Sequence, residues 1–335
     1  MELFSNLTKI NNNNIAVIER NDKFSYRKLN IDLKKFDNFF TKRSVILFFG
    51  QNTYSSLLFY IHCIINKNVP ILVDPLIDEK YLNKIIDKYK PDFIYVPQNF
   101  KFKNSFYTYQ GKILDYFILK INKKIYYEIY KDLALLLTTS GSTGSPKLVR
   151  LSYSNLFSNT HSIINYLKIN AKHRTITTLP FNYSYGLSII NTHIHAGASI
   201  AMNDFSMIQK FFWENFRFNK ITSFGGVPYN YEILKEIKFE NFFLDYFKYS
   251  TVAGGSLSLS TLEYFIKLYK KLNKKLLVMY GQTEASPRIS YLPWEKIEKK
   301  KGSIGIPIPG GRLYIKGEFS NKLKLNYSDE LIYEG

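Results

Sequence analysis

The residues best suited to chemistry form one short stretch, Thr138 to Lys147. It directly follows the apolar run Leu133–Leu137 and reads Thr-Thr-Ser-Gly-Ser-Thr-Gly-Ser-Pro-Lys, so six of its ten residues carry hydroxyls. Its two glycines permit backbone conformations that leave N–H groups unshielded, so the loop can surround an anion with N–H and O–H donors. The ammonium of Lys147 would offset negative charge, and polyphosphate is the natural ligand of such an arrangement.

Two other interpretations of this stretch are weaker. A flexible Gly/Ser turn has a similar composition, but simple linkers seldom lie between a buried strand and a Pro-Lys step. A Walker A loop ends in Gly-Lys-Ser/Thr, whereas here Pro146 precedes Lys147 and Leu148 follows it. The sequence therefore predicts a phosphate-binding loop that is not the P-loop of NTPases.

Four further blocks of glycine, aromatic and polar residues follow along the chain. They are Leu179-Pro-Phe-Asn-Tyr-Ser-Tyr-Gly186, Val252-Ala-Gly-Gly255, Tyr280-Gly-Gln-Thr-Glu284 and Gly302-Ser-Ile-Gly-Ile-Pro-Ile-Pro-Gly310. Together with the loop, and in the same order, they resemble the motifs of the adenylate-forming superfamily, which includes acyl-CoA synthetases, nonribosomal-peptide adenylation domains and firefly-type luciferases. The resemblance covers nearly the whole chain. The loop and the Tyr-Gly-x-Thr-Glu block are its most specific parts.

The resemblance implies a binding site for ATP. It assigns the phosphates to the loop, namely to Thr139, Ser140, Gly141, Ser142, Thr143, Gly144 and Lys147. It assigns the adenine to Tyr280, whose ring face can stack on the purine, and to Gly254 and Gly255, which allow close backbone approach. Gly281 and Thr283 complete the implied nucleotide contacts.

The resemblance also implies which residues are catalytic. Thr283 would donate a hydrogen bond to the α-phosphate, and Lys147 would offset phosphate charge. Glu284 would supply the hard oxygen ligand that Mg²⁺ prefers beside phosphate oxygens and water. Without the resemblance, a solvated surface carboxylate would be the simpler interpretation of Glu284.

The acid substrate is expected beside Tyr183, Gly186 and Gly281. Many members of the superfamily carry His where this chain has Tyr183. Tyrosine keeps a ring and a hydrogen-bonding tip but does not become cationic near pH 7, so the contribution of that His does not transfer directly.

A second departure lies at the end of the chain. Residues 329–335 resemble the Gly-Glu-Leu-x-x-x-Gly strand that precedes the superfamily's Thr-Gly-Asp ribose-binding motif. On this resemblance, the ribose-binding Asp, the interdomain hinge and the small C-terminal domain with its catalytic Lys are absent. We therefore expect an incomplete enzyme, whether from natural truncation, a split gene or a partial sequence.

Composition excludes several other classes of protein. The formal net charge is +19, but the lysines are dispersed and no zinc-finger or RNA-binding signature accompanies them, so nucleic-acid binding is disfavoured. The five histidines form no metal-ligand constellation; His193 and His195 could form a ligand pair on a strand, but within the predicted helix they would not share a face. The single cysteine, Cys63, cannot form an internal disulfide. There is no signal-peptide core and no apolar run near the roughly 20 residues that span a bilayer. We expect a cytoplasmic protein without a transmembrane segment.

The pattern of apolar runs predicts an α/β fold of two doubly wound, mostly parallel sheets with covering helices. Helices are expected over residues 53–66, 78–89, 154–168, 187–196, 206–216 and 258–272. Strands are expected over 44–49, 69–73, 93–96, 133–137, 175–179, 199–201, 223–224, 249–253 and 276–279, with edge strands within 98–131. The predicted division is a first α/β subdomain at 1–168, a second at 169–301 and the start of a small β subdomain at 302–335.

The predicted function is ATP-dependent activation of a carboxylic acid to its acyl-adenylate, with Mg²⁺ and release of pyrophosphate. The acyl group would then pass to a thiol of coenzyme A or of a phosphopantetheine carrier protein. A separately encoded C-terminal domain is a further candidate partner. The alternative is a noncatalytic nucleotide- or acyl-binding module, or a truncated remnant of such an enzyme.

Overall fold

The computed structural model describes residues 2–100, 106–122, 127–138, 147–242, 245–316 and 330–335. Most of the predicted phosphate loop, residues 139–146, lies outside these ranges, as does Asp329. The roles predicted for Thr139, Ser140, Gly141, Ser142, Thr143 and Gly144 therefore remain predictions from the sequence.

The strands of the described residues occur in chain order as follows. They are β1 Ile15–Glu19, β2 Asp22–Ser25, β3 Val45–Phe49, β4 Val69–Val73, β5 Phe93–Pro97, β6 Tyr107–Ile113, β7 Tyr116–Ile121, β8 Leu133–Thr138, β9 Leu148–Ser152, β10 Arg174–Ile176, β11 Ser199–Met202, β12 Ser223–Gly226, β13 Tyr249–Val252, β14 Lys275–Gly281, β15 Arg288–Leu292, β16 Ile306–Pro307, β17 Arg312–Ile315 and β18 Leu331–Glu334.

The helices of the same residues alternate with these strands. They are α1 Tyr26–Leu33, α2 Tyr54–Ile65, α3 Glu79–Tyr89, α4 Tyr153–Leu167, α5 Ser184–His195, α6 Lys210–Phe218, α7 Pro228–Glu236 and α8 Leu259–Lys271.

Within the described residues, two large sheets form the framework. The seven-stranded sheet has the order β6-β7-β5-β3-β4-β8-β9, with a parallel centre from β5 to β8. The nine-stranded sheet has the order β16-β15-β14-β13-β12-β10-β11-β1-β2 and is parallel from β14 to β1. Strands β17 and β18 pair antiparallel as a separate small sheet. The predicted α/β fold class, including the small β unit, is confirmed.

Helices α2 and α5 lie between the sheets. Each has eleven buried residues out of twelve, which identifies helices covered on all sides. Helix α2 packs against β4 of one sheet and β1 of the other, and α5 packs against β10, β11 and α4. One cluster of buried apolar side chains joins the layers and includes Phe48, Tyr95, Leu187 and Ile200. The main core is therefore shared by both sheets.

Several boundaries differ from the sequence prediction. Helix α4 begins at Tyr153 rather than at Ser154, because Ser152 is the N-cap. The Ser152 hydroxyl accepts the Asn155 N–H at 3.1 Å, and the Asn155 side chain accepts the Ser152 N–H at 3.0 Å. This reciprocal capping box fixes the first turn.

Helix α5 begins one turn earlier than predicted, at Ser184. Gly186 has low helix propensity, so the sequence pattern conceals the first turn. The structure supplies the reason for the glycine, since a Cβ at Gly186 would lie 2.6 Å from the Pro180 carbonyl oxygen. Helix α6 begins later than predicted, at Lys210, and residues 206–209 form a turn instead.

Some elements escaped the sequence prediction altogether, namely β1, β2, α1, β9, α7 and β15. Strands β1 and β2 belong to the nine-stranded sheet, where Val17 pairs with Ile200 of β11. Residues 17 and 200 are far apart in the sequence, so no pattern within a short window of residues predicts that they pair. The division of the chain near residue 168 stays a prediction.

Where the structure describes the chain, it contains no helix with both the length and the apolar character needed to cross a lipid bilayer.

Tyr26 fastens the N-terminal segment to the end of α5. Its fully buried hydroxyl donates to the carbonyl oxygens of Ala198 at 2.7 Å and Ile194 at 3.2 Å.

We predict that Tyr26→Phe lowers the free energy of unfolding by about 1–3 kcal/mol, because buried acceptors lose their donor. Urea denaturation measures this loss. Tyr229→Phe is the control, since that ring is 70% exposed, and equal stability of the two variants would contradict the prediction.

Candidate active site

Two glycine-containing turns meet because their strands are parallel neighbours. Val252 of β13 pairs with Val278 of β14, and the chain continues from these strands to Gly254–Gly255 and to Tyr280–Gly281. The carboxyl ends of adjacent parallel strands open at the same edge of a sheet, which is the usual position of ligand sites in open α/β folds. Blocks separated by 25 residues along the chain thus lie side by side.

The N-terminus of α5 lies against both turns. The Ser184 hydroxyl is 2.9 Å from the Thr283 hydroxyl, which joins α5 to the short 3₁₀ helix Thr283–Ala285. The Tyr183 hydroxyl packs over Gly254, where a Cβ would lie 2.5 Å from its oxygen. Gly254 has a φ of +83°, a backbone conformation that favours glycine.

These elements enclose a cavity of about 740 Å³, which lies within the range of small-molecule sites. Its wall combines apolar side chains, hydroxyls, backbone of the glycine turns and two charged residues. The lining residues are Thr138, Tyr183, Ser184, Tyr185, Ala253, Gly254, Gly255, Ser256, Leu257, Leu262, Val278, Met279, Tyr280, Gly281, Gln282, Thr283, Glu284, Pro287, Arg288, Gly302, Ser303 and Ile304.

Most of the described residues predicted for the site line this one cavity. They are Tyr183, Gly254, Gly255, Tyr280, Gly281, Thr283 and Glu284. Thr138, the last residue of β8, also lines it. The roles of these residues in binding and catalysis stay predictions.

Two predicted residues lie apart from the lining. Lys147 is exposed and directly precedes β9. Gly186 is buried within the first turns of α5, against the Leu179–Pro180 backbone. Gly186 is therefore not among the residues that line the cavity, and its contact with the acid substrate stays a prediction.

Arg288 lines the cavity with a side chain that is only 2% exposed, and no sequence motif predicted it. It begins β15 opposite Gly281, and its guanidinium lies 4.5 Å from the centre of the Tyr185 ring. It donates hydrogen bonds to the hydroxyls of Tyr166 and Ser188, each at 3.1 Å. The signal in the sequence is a lone arginine beginning the otherwise uncharged run Arg288–Leu292.

The tyrosines of the site are neutral. Burial raises the pKa of Tyr183, Tyr166 and Tyr185, the last to about 12, and the positive charge of Arg288 offsets only part of this rise. Burial likewise lowers the pKa of His193 to about 4, so its imidazole is uncharged at neutral pH. The phenols and the imidazole consequently supply no counter-charge to Arg288.

The donors present fit a magnesium ion that binds mainly through a nucleotide. Glu284 is an exposed carboxylate on the cavity wall, and no ion pair engages it among the described residues. The same residues contain no group of three or more His, Cys, Asp or Glu side chains able to enclose a metal. Mg²⁺ typically uses one or two carboxylates together with phosphate oxygens and water, so one carboxylate suits a metal that arrives with polyphosphate.

Comparison with known proteins assigns the family. The profile of the AMP-binding enzyme family matches residues 7–330, so the chain belongs to that family. It is 31% identical over 210 residues to the mitochondrial medium-chain acyl-CoA ligase ACSF2 of Rattus norvegicus, covering 59% of this chain and 33% of that protein. It is 26% identical over 206 residues to a D-alanine–D-alanyl carrier protein ligase of Staphylococcus aureus, covering 60% of this chain and 41% of that protein.

The fold agrees with solved structures of much lower sequence identity. The o-succinylbenzoate coenzyme A synthetase MenE of Bacillus subtilis, in complex with ATP and a magnesium ion, superposes with a TM-score of 0.79 at 17% identity. That match covers 98% of this chain and 69% of the other. The matched part of this chain spans only about a third of the rat ligase. The activity of a whole relative is therefore a proposal for this chain.

Gly281 permits the tight approach of two strands beside the cavity. A Cβ there would overlap the backbone carbonyl of Pro287. We predict that Gly281→Ala lowers the free energy of unfolding by about 3 kcal/mol or more, because neither backbone segment can move without breaking the pairing of β14 with β15.

Gly255→Ala is the matched control for that substitution. Its Cβ would meet only the ring of Pro228, at 3.1 Å, on an exposed turn. Urea denaturation of both variants should show a loss confined to Gly281→Ala, and a Gly281→Ala protein as stable as the parent would contradict the described pairing.

Proposed function

We propose that this chain binds ATP and a carboxylic acid and joins them as an acyl-adenylate. The acid's oxygen attacks the α-phosphorus, the bond between the α-phosphorus and the bridging oxygen breaks, and pyrophosphate leaves. A thiol of coenzyme A or of a carrier protein then accepts the acyl group and releases AMP. The relatives that the chain resembles include both an acyl-CoA ligase and a carrier-protein ligase, so both acceptors are retained.

The observation that carries this proposal is the convergence of three segments on one cavity. The turn Gly254–Gly255 and the exposed face of Tyr280 come from adjacent strands, and Thr283 is held by Ser184 of a buried helix. A flat aromatic face beside unshielded glycine backbone suits a purine. Hydroxyls and a carboxylate at the same opening suit the phosphates and their metal.

The paired hydroxyls of Ser184 and Thr283 leave one O–H group able to donate a hydrogen bond to the phosphate. Each hydroxyl has a single hydrogen, so whichever donates to the other leaves its partner's hydrogen available. A donor held in place before the reaction stabilises charge that develops on a phosphate oxygen during attack, without reorganisation cost. Thr283 is the residue that we propose for this contact.

Glu284 would hold Mg²⁺ together with phosphate oxygens, and Lys147 would approach the outgoing phosphates from the loop that precedes β9. The metal neutralises phosphate charge when it is bound. The residues of the chain position the acid in line with the α-phosphorus, which converts a bimolecular encounter into a reaction between aligned groups.

The direct experiment separates binding from turnover. Titration calorimetry with AMP and with MgATP tests the nucleotide site, and pyrophosphate release with a panel of acids tests the reaction. In the superfamily that the sequence resembles, a further segment carries the ribose-binding Asp and the catalytic Lys. The pyrophosphate-release assay is therefore run with and without a polypeptide that supplies them. Binding without turnover in both assays would favour the noncatalytic module, and no heat at millimolar nucleotide from folded protein would refute the proposal.

Tyr280 tests the adenine site. We predict that Tyr280→Ala weakens AMP and ATP binding to a similar extent, by about five- to a hundred-fold, because stacking on adenine is common to both nucleotides. Calorimetric titration gives both dissociation constants. Tyr109→Ala, at an exposed tyrosine of β6, is the control. If Tyr280→Ala left both affinities unchanged, the adenine would have to bind elsewhere.

Glu284 tests the metal site. We predict that Glu284→Gln reduces the gain in ATP affinity that Mg²⁺ provides while leaving AMP affinity nearly unchanged, because the metal serves chiefly the polyphosphate. ATP is titrated with excess Mg²⁺ and again with chelator, and the ratio of the two dissociation constants is compared. Glu236→Gln, an exposed carboxylate outside the cavity, should keep the parent ratio. An unchanged ratio for Glu284→Gln would remove Glu284 from the metal site.

A further inference from the structure

Arg288 is a buried positive charge without a negative partner. Its side chain is 2% exposed, and within the described part of the chain no carboxylate lies in ion-pair contact with it. Its Nε–H, although buried, has no hydrogen-bond acceptor. Burying a charge without an opposite charge is costly, so such a residue is retained where something else supplies the partner.

The contacts of Arg288 are weaker than those of a structural arginine in the same chain. Arg43 donates four hydrogen bonds to backbone carbonyl oxygens and thereby holds the segment before β3 to Lys67 and to residues 129–133. Arg288 instead contacts two neutral hydroxyls, a thioether sulfur and the face of Tyr185. These groups orient the guanidinium, but none of them neutralises it.

The contact of Arg288 with α5 relates its guanidinium to the proposed reaction centre. Ser184, which pairs with Thr283, and Ser188, which pairs with the guanidinium, are four residues apart on this helix. Four residues of α-helix advance by about 6 Å. The guanidinium therefore lies about one helical turn deeper than the hydroxyls proposed for the α-phosphate.

We propose that the acid accepted by this chain is a short dicarboxylic acid, whose second carboxylate pairs with Arg288. This inference rests on the proposed function, because it takes the cavity to be the acid site. One carboxylate faces Thr283 and becomes the acyl-adenylate, and the other forms a charge-assisted pair with the guanidinium. An arginine presents parallel N–H groups to a carboxylate, which gives both energy and geometric selectivity.

The same observations disfavour a long fatty acid. An alkyl chain in contact with the guanidinium would exclude water from the charge and offer no acceptor in exchange. The distance of about one helical turn also suits a four-carbon backbone better than a longer one. Selectivity between a diacid and the monoacid of equal length is therefore the property to measure.

Two stable mimics of the acyl-adenylate make the matched comparison. Both are 5′-O-sulfamoyladenosines, one acylated with 3-carboxypropanoyl, derived from succinic acid, and the other with butanoyl. They share the adenosine and the chain length and differ only in the terminal carboxylate. We expect the parent protein to bind the carboxypropanoyl compound about ten- to a hundred-fold more tightly than the butanoyl compound by calorimetry.

Variants of Arg288 assign this preference to its charge. Arg288→Met should abolish the preference, and Arg288→Lys should retain part of it, while AMP affinity reports that each variant is folded. Arg150→Met, at an exposed arginine of β9, should keep the full preference. If Arg288→Met does not fold, the preference of the parent and its reduction in Arg288→Lys still test the proposal.

The outcomes separate the two proposals. Equal affinity of the parent protein for both mimics would overturn the dicarboxylate inference and leave the proposed function intact. A preference that survives in Arg288→Met would remove Arg288 as its cause and equally overturn the inference. Failure of AMP and both mimics to bind folded parent protein would overturn the proposed function, and the inference with it.

Discussion

The burial of α5 between the two sheets, at eleven of its twelve residues, is the constraint on which the site depends. A helix covered on all sides cannot shift without disturbing both layers, since closely packed interiors transmit small displacements. Its first turn carries Tyr183, against Gly254, and Ser184, against Thr283. The position of the cavity wall is thus set by the shared core rather than by the loops that form its surface.

One turn after Ser184, the same helix places the Ser188 hydroxyl against the buried guanidinium of Arg288. Ser188 accepts a hydrogen bond from Arg288, and Tyr185 lies beneath the guanidinium. Asn159 of α4 donates a hydrogen bond to the Arg288 carbonyl oxygen at 2.8 Å. The arginine is therefore held through both its backbone and its side chain, which would reduce the entropic cost of binding the proposed carboxylate.

The fold class and most of the cavity-lining blocks could be predicted from the sequence because they depend on local patterns. Apolar runs such as Val45–Phe49 identify buried strands, and Tyr280–Glu284 is a contiguous motif. Arg288 could not be found in this way, because its position depends on the antiparallel register that places it opposite Gly281, next to a bulge. The pairing of β1 with β11 is similarly invisible locally, since it depends on contacts between distant parts of the chain.

That pairing has a consequence for biosynthesis. Strand β1 spans residues 15–19, but its neighbour β11 spans residues 199–202 and is therefore made about 180 residues later. At typical elongation rates of about 5–20 residues per second, the hairpin of β1 and β2 has no sheet to join for roughly ten seconds or more. An apolar strand without its neighbour presents unpaired N–H and C=O groups, so Ile15–Glu19 is a template for incorrect pairing during that interval.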